Sequence, residues 1–177
     1  MKSIVPILVA GVVLIPGSVR RLSAQSDHHV MQGPSEAQWG PAPAMLPVGA
    51  EIAVLAGNPM AATSYTVRLK FPAHYQIPAH SHPTDENVVV ISGALTFGMG
   101  DMLIKPATGN KTLPAGGFAL MPAHMNHFAY AGAEPTIIVL YGQGPVEFKY
   151  ANPGDDPRHS KSETKHSNIR SPDRQPN

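Results

Sequence analysis

Short runs of strand-forming residues, each closed by a turn sequence, fill the chain from residue 51 to about residue 150. The sequence of 177 residues contains 19 prolines and 16 glycines, and long helices do not continue through so many breaks. No stretch shows a convincing helical period, so the pattern predicts an antiparallel β-sandwich or barrel. The predicted strands are 52–55, 64–69, 88–91, 94–98, 118–121, 127–130, 136–141 and 146–150.

The first 26 residues have the pattern of a secretory signal peptide. Lys2 supplies the positive start, and residues 4–15 form an apolar run shorter than the roughly 20 residues of a spanning helix. Cleavage after Ala24 or Ser26 fits this pattern, whereas two arginines just before that point are unusual and leave an uncleaved membrane anchor as the alternative. We expect export to the periplasm or the medium, with no stable membrane insertion after cleavage.

The segments on either side of the strand-rich region predict a simple domain organisation. Residues 27–36 are polar and are predicted to be a flexible arm, and residues 37–153 are predicted to form the barrel. Residues 154–177 mix charged residues with Ser, Pro and Asn around one large aliphatic residue, Ile169. Such a segment buries too little apolar surface to offset its ordering entropy, so it is predicted to be a disordered tail.

Charge and cysteine content exclude several classes of partner and site. The formal net charge is +1, and loss of residues 1–26, which carry three basic residues and no acid, would change it to −2. No basic stripe is present, so nucleic acid is not an expected partner. The chain has no cysteine, so any metal must be held by His, Asp or Glu, without thiolate ligands.

Three histidines and one glutamate form the candidate metal-binding set. His80 and His82 are two residues apart, so on an extended strand their side chains project from the same face. Glu86 keeps that even spacing after a short break, and His127 follows on a later predicted strand. Three imidazoles and one carboxylate that converge at the mouth of a barrel suit a divalent transition metal.

The same residues carry a resemblance to a known family. The stretch His80-Ser-His-Pro-Thr-Asp-Glu86, followed by Gly93, resembles the first motif of the cupin superfamily, and Gly116-Gly117, Pro122 and His127 resemble the second. The resemblance covers about residues 37–157 and includes the phrases Leu113-Pro-Ala-Gly-Gly-Phe-Ala-Leu-Met-Pro and Asn152-Pro-Gly-Asp-Asp-Pro. It implies a small single-domain bacterial cupin, that is, an all-β antiparallel jelly-roll barrel (a double-stranded β-helix).

The resemblance also implies a ligand set and a cofactor. The carried-over ligands are His80, His82, Glu86 and His127, and the cofactor is one divalent transition metal: iron, manganese, nickel or zinc. A homodimer is a further expectation, to which the apolar outer positions of the predicted strands add support. The resemblance identifies no catalytic residue.

The chain departs from the family pattern near the site. His74 and His124 stand where the motifs usually have glycine, and Ala131 replaces the closing asparagine of the second motif. Glycine at such turns often serves a positive φ, which histidine tolerates less well. His74, His124 and Tyr130 are candidates for residues that support the metal ligands or contact a substrate, and exposed loop histidines are the alternative.

The sequence offers one alternative carboxylate ligand and does not fit two other classes of protein. Asp85 could replace Glu86 as the ligand if the bend were different, but its place in the turn and the spacing favour Glu86. A His-x-His-x-Asp-His metallo-hydrolase does not fit, because Glu86 follows Asp85 and no α/β alternation is present. A serine hydrolase lacks its Gly-x-Ser-x-Gly turn.

The function expected from these features is that of an exported metal-binding protein that takes a small polar ligand. An octahedral metal with four protein ligands keeps two open positions for water, dioxygen or a bidentate substrate. A metal-dependent dioxygenase or isomerase is therefore the alternative, in which His124 or Tyr130 would relay protons. A structural protein that uses the metal only for stability is the third class.

Overall fold

The computed structural model describes residues 29–159. Strands are the main regular secondary structure of this region, and two short 3-10 turns, Pro34–Glu36 and Pro153–Asp155, lie near its ends. No helix in the described region is long and apolar enough to cross a membrane. The predicted signal peptide and residues 160–177 of the predicted tail lie outside the described residues. The strands are β1 Gly40–Pro41, β2 Glu51–Gly57, β3 Ser64–Phe71, β4 Gln76–Ser81, β5 Glu86–Ser92, β6 Ala94–Met99, β7 Lys111–Pro114, β8 Phe118–Met121, β9 His127–Ala131, β10 Thr136–Gln143 and β11 Lys149–Tyr150.

The strands form two antiparallel sheets that face each other. The first sheet has the order β1-β2-β3-β10-β5-β8, and the second has the order β11-β4-β9-β6-β7. From β3 to β11 the chain alternates between the sheets, except that β6 and β7 are neighbours in the second sheet. The predicted all-β jelly-roll barrel is confirmed.

Alternating burial explains how the two sheets enclose one core. Strand β3 reads exposed, buried, half-buried in strict alternation, and β5 does the same from Glu86 onward. The predicted inward positions Val88 and Val90 are both buried, whereas Val89 is half-buried and Ile91 is exposed on the outer face. Since side chains alternate along a strand, one face of each sheet supplies the core.

The predicted strands agree with the structure except at four places. Strands β1, β4 and β7 are absent from the eight predicted strands, and each of them contains proline. The predicted strand 146–150 is paired only at Lys149–Tyr150. The predicted turn at Gly93 is confirmed: its φ is +71°, and a Cβ there would lie 2.5 Å from the Pro135 carbonyl oxygen.

A β-bulge in β4 determines which of its side chains reach the interior. Ile77 pairs with Ala129 and faces the core, but the register shifts before His80, which pairs with His127. Ile77 and His80 are three positions apart, so without the bulge only one of them could face inward. The bulge therefore turns His80 into the barrel.

The chain segments before β2 and after β11 both pack against the barrel. The Tyr150 hydroxyl donates to the Met45 carbonyl at 2.7 Å, and Leu46 belongs to the hydrophobic core. Beyond residue 153, Arg158 donates to the Phe148 carbonyl at 3.0 Å and to the Asp156 carboxylate at 2.6 Å. These contacts extend past the predicted domain boundary at residue 153.

Candidate metal centre

The four predicted ligands come from both sheets. His80 on β4 and His127 on β9 are direct cross-strand partners in the second sheet. His82 follows the last residue of β4, and Glu86 is the first residue of β5 in the first sheet. The three residues between His82 and Glu86 along the chain thus carry the carboxylate across to face the imidazoles.

The three histidines form a compact buried cluster. Their candidate ligand nitrogens all lie within 4.8 Å of one another, and all three residues are buried. Glu86 approaches two of them: its Oε1 lies 3.3 Å from His82 Nε2, and its Oε2 lies 3.7 Å from His127 Nε2. This cluster of three buried histidines could hold a metal ion.

Main-chain carbonyls hold all three imidazoles in one tautomer. The Nδ1 atoms of His80, His82 and His127 lie 2.6, 2.8 and 3.0 Å from the carbonyl oxygens of Pro78, Glu147 and Met125, respectively. A carbonyl oxygen only accepts, so each Nδ1 carries the proton and donates it. Each Nε2 of a neutral ring then carries a free lone pair, as a metal ligand requires.

The inner face of the cluster needs a positive charge. Within residues 29–159, the Nε2 atoms of His82 and His127 are buried and have no hydrogen-bond partner. Their lone pairs face the carboxylate oxygens of Glu86, and two acceptors cannot satisfy each other. A cation between them would satisfy all of these atoms, so the residues fit a divalent metal.

The ionisation states suit the same role. Burial, followed by the neighbouring His127 and His82, lowers the pKa of His80 to about 3, so this ring is neutral at neutral pH. Burial raises the pKa of the Glu86 carboxyl, but the positive charge that His127, His82 and His80 carry when protonated outweighs burial and holds that pKa below its ordinary value. Neutral imidazoles and an ionised carboxylate are the forms that bind metal.

Two aromatic residues complete the site and were not predicted from the sequence. The Phe148 ring stacks on His80 with centroids 4.4 Å apart and meets the edge of His82 at 4.6 Å. Tyr65 is buried on β3, and its pKa is raised by burial and then by the charge of Glu86. Only strand pairing brings Tyr65 near Glu86, since both pair with Gly142 on β10. No local sequence signal marks these partners.

The three predicted supporting residues occupy different places. His74 is exposed in the turn before β4, at the end of that strand opposite to His80, and its N–H donates to Gly132. Tyr130 is an odd number of residues from His127, so it faces the outer side of β9, where Lys105 lies over its ring. His124 lies near the cluster: its N–H donates to the His82 carbonyl at 2.8 Å. The structure therefore brings His124, but neither His74 nor Tyr130, to the neighbourhood of the ligands.

The turn residues behave as the sequence pattern suggested. His74 and His124 have φ values of 61° and 63°, so both histidines adopt the left-handed conformation that the family motifs give to glycine. Asp85 is exposed, and its carboxylate accepts from the Ala123 N–H at 2.8 Å. Asp85 therefore stabilises the turn, while the neighbouring Glu86 points inward.

Two neighbouring cavities contact residues of the cluster. The inner one, of about 20 Å³, is lined by His80, His127 and Glu86 among apolar residues. The outer one, of about 50 Å³, lies between the N-terminal segment and the barrel, and also contacts Glu86. The two cavities share part of their walls, namely Leu69, Glu86, Leu140 and Phe148.

Comparisons with known proteins concern the fold. No protein-family model and no curated sequence matches this chain. An RmlC-like cupin from Shewanella frigidimarina is similar in structure, with 18% identity, coverage of 64% of this chain and 88% of that chain, and a TM-score of 0.49. KdgF from Halomonas sp. has 19% identity, coverage of 63% and 90%, and a TM-score of 0.47. The DMSP lyase DddQ from Ruegeria pomeroyi has 17% identity, coverage of 68% of each chain, and a TM-score of 0.48.

The cupin-type fold of this chain is evident from its own strand order and from the placement of its motif residues. The two-sheet barrel places His80, His82 and Glu86 across a sheet-to-sheet crossing, and His127 lies opposite His80. The fold itself does not determine what a site of this kind does.

Proposed function

We propose that this chain is an exported metal-binding protein whose three histidines and Glu86 hold one divalent transition metal and, through it, the polar group of a small ligand. The observation that carries the proposal is the pair of buried Nε2 atoms, of His82 and His127, that face the Glu86 carboxylate without a hydrogen-bond partner among the described residues. When bound, such a metal supplies Lewis acidity to a coordinated oxygen.

The residues around the ligands support a preformed site. Carbonyl acceptors hold each ring in the tautomer that presents Nε2, so little ordering is required when the metal binds. Phe148 packs against His80 and His82 and restricts the movement of both rings. A site held in this way favours a metal over a mobile proton-transfer pair.

Elemental analysis of anaerobically purified full-length protein tests the proposal. We expect about one metal ion per chain in the wild type, and a large loss in His82→Ala, because three ligands bind far more weakly than four. The matched control is His124→Asn. His124 is an exposed neighbour of the cluster, and asparagine tolerates its left-handed backbone conformation. This variant should keep the wild-type metal content. Full metal content in His82→Ala would show that the proposed site is wrong.

A metal-dependent dioxygenase or isomerase is the second candidate, and the cavities favour it over a purely structural metal. Structural sites are closed, whereas a cavity lined by His80, His127 and Glu86 adjoins a second, apolar cavity here. Oxygen uptake by the ferrous protein with small oxygen-bearing substrates tests the oxygenase form. Ligand-induced stabilisation without turnover would instead support a binding protein.

Export is supported by the amino-acid pattern of residues 1–26 alone, which lie outside the described residues. Mass spectrometry of the protein recovered from a periplasmic or culture fraction tests this part of the proposal. A mature N-terminus near residue 25 or 27 is expected. Recovery of the intact chain, beginning at Met1 and bound to membrane, would support the anchor instead.

A further inference from the structure

The outer cavity is an apolar compartment attached to a polar centre. Apart from Glu86 and Tyr65, every residue that lines it is apolar, and the wall includes Met45, Ile52, Met60 and Val146. Three connecting segments supply part of this wall: the N-terminal segment before β2, the β2–β3 turn and the segment before β11. Strand residues, mainly of β3, supply the rest. A cavity with such walls favours a hydrocarbon group over a fully hydrated ligand.

Glu86 marks where the two environments meet. It lines both cavities, together with Phe148, whose ring stacks on the ligand His80. A ligand that binds the metal on the side of the cluster nearest Glu86 would therefore extend into the outer cavity.

Tyr65 offers a hydrogen-bond donor at the same junction. Its position and that of Glu86 both pair with Gly142 on β10, so the three residues form one row across the sheet. A Cβ built at Gly142 would lie 3.4 Å from the Tyr65 hydroxyl, which shows that the phenol extends over the glycine. The hydroxyl is thus placed to donate to an oxygen of the ligand's polar group.

The charge at the centre selects the sign of that polar group. Three neutral imidazoles and one carboxylate around a divalent cation leave a net charge of +1, which favours a monoanionic head group. The walls of the outer cavity, by contrast, contain no charged side chain other than Glu86. The charge and the apolar wall therefore act on different ends of one ligand.

Resting on the metal centre proposed above, we infer that the site takes a monocarboxylate with a short hydrocarbon tail: the carboxylate lies at the metal beside Tyr65, and the tail occupies the outer cavity. Because it requires a hydrocarbon tail, this ligand class is narrower than small polar ligands in general. The thioether groups of Met45 and Met60 adapt to tails of different shape, and Met60 is more than half exposed at the cavity mouth.

Calorimetric titration with straight-chain carboxylates from acetate to octanoate tests this inference on the metal-loaded, full-length protein. Burial of each added methylene should tighten binding about fourfold until the cavity is filled, after which the gain should stop. Chelator-treated protein should bind the whole series weakly. A dissociation constant that does not change with chain length would overturn the inference.

Two valine substitutions distinguish an effect of the cavity wall on ligand binding from a general effect of substitution on the protein. Val146→Thr puts a hydroxyl into the cavity wall at nearly constant volume, and it should reduce the gain per methylene while acetate binding stays unchanged. Val54→Thr makes the same change on an exposed position of β2 outside the cavity and should keep the wild-type series. An unchanged series in Val146→Thr would contradict the assigned cavity.

Metal content distinguishes failure of this inference from failure of the metal site. One metal per chain with a flat carboxylate series would overturn the ligand class and leave the metal centre standing. Absence of bound metal after reconstitution would overturn both. Metal content near one per chain in Val146→Thr would show that this variant is folded at the site.

Discussion

At the scale of single residues, the centre depends on one carboxylate that faces two imidazole nitrogens. Glu86 is the only acid whose carboxylate is buried beside the cluster in the described chain, with oxygens 3.3 and 3.7 Å from His82 and His127. Its negative charge compensates part of the charge of a divalent ion. The neutral amide of glutamine would have almost the same shape but none of this charge.

Glu86→Gln should therefore weaken metal binding by at least about tenfold while the protein remains folded. The matched control is Asp85→Asn, which changes an exposed carboxylate next to Glu86 that accepts from the Ala123 N–H. Competition with a metal-sensitive dye measures both affinities. Equal loss of metal affinity in the two variants, or a loss only in Asp85→Asn, would show that Glu86 is not the carboxylate ligand.

His74 offers a test in which the effect on stability is separate from the effect on metal. Its φ of 61° costs roughly 1–2 kcal/mol for a residue with a Cβ. Glycine removes that cost but loses about 0.4–1 kcal/mol through the entropy of the unfolded chain. His74→Gly should thus raise the free energy of unfolding by up to about 1 kcal/mol, measured by urea denaturation.

The control for this prediction is His74→Ala, which keeps a Cβ in the same left-handed turn and should give no gain in stability. Neither variant should change the metal content, because His74 lies at the opposite end of β4 from His80. Loss of metal in both variants would show that His74 supports the ligands after all.

Spacing along the chain predicted which four side chains converge, but not what holds them. Even spacing brings His80 and His82 to one face, and the motif adds Glu86 and His127. The carbonyl of Glu147, which accepts from His82, lies 65 residues away in sequence, so only the folded chain reveals it. Phe148 was likewise hidden, since a phenylalanine in a predicted strand has no signal that selects histidine as its neighbour.

At the scale of elements, the segment after β11 contacts the barrel through Arg158, whose side chain is oriented by an ion pair with Asp156 in the same segment. Asp156 accepts from the Arg158 side chain at 2.6, 2.7 and 3.0 Å, and Arg158 also donates to the Phe148 carbonyl at 3.0 Å. The hydrogen bonds from Arg158 lower the pKa of Asp156 from 3.8 to about 2. The pair thus links this segment to the residue that packs on His80.

The lowered pKa fixes the direction of the pH dependence. The unfolded chain binds a proton at Asp156 more readily than the folded chain, so the stabilisation is complete above pH 3.8 and is lost as the pH falls toward 2. Asp156→Asn should lower stability by about 1 kcal/mol at neutral pH, since this pair is partly open to solvent.

Urea denaturation of the wild type and Asp156→Asn at several pH values checks this prediction. The difference between them should shrink below pH 3.8 and nearly vanish near pH 2. Asp155→Asn is the control, because Asp155 is exposed and next to Asp156 in sequence. A difference that is independent of pH would mean that the carboxylate charge contributes nothing.

Strand composition predicted most elements, and the exceptions share a cause. Strand β4 contains Pro78, His80 and Ser81, and β7 is the four residues Lys111–Pro114. Each has only one β-branched residue, too few to mark a strand. Tertiary pairing forms both of them. The bulge before His80 is equally invisible in the sequence, because it arises from the register of β4 against β9.

At the scale of the whole molecule, the two sheets differ on their outer faces. Phe128 lies on the outer face of β9, where its buried ring and the Asn110 side chain occupy the space above Gly98. On the other sheet, Ile91, Phe118 and Leu120 are 47%, 54% and 48% exposed. Val89 pairs with both Phe118 and Val139, so these residues continue a single apolar surface.

This apolar surface is the interface that we expect for the homodimer. We expect the full-length protein to dimerise through the outer face of the β5–β8 pair, and Phe118→Glu should shift it to monomer by placing a charge on that face. Val48→Glu, at an exposed position in the N-terminal segment, should leave the dimer intact. Light scattering at micromolar concentration measures both, and a monomeric wild type would contradict the expectation.

The carbonyl anchors of the imidazoles have a consequence for how this protein can change over evolutionary time. Main-chain atoms orient all three rings, and these atoms are present whatever side chain occupies positions 78, 125 and 147. The wall of the outer cavity, by contrast, consists of side chains. Mutations could therefore change the shape of the outer cavity while the three imidazoles keep the tautomer that binds metal. A single scaffold could acquire new ligand preferences without passing through a metal-free ancestor.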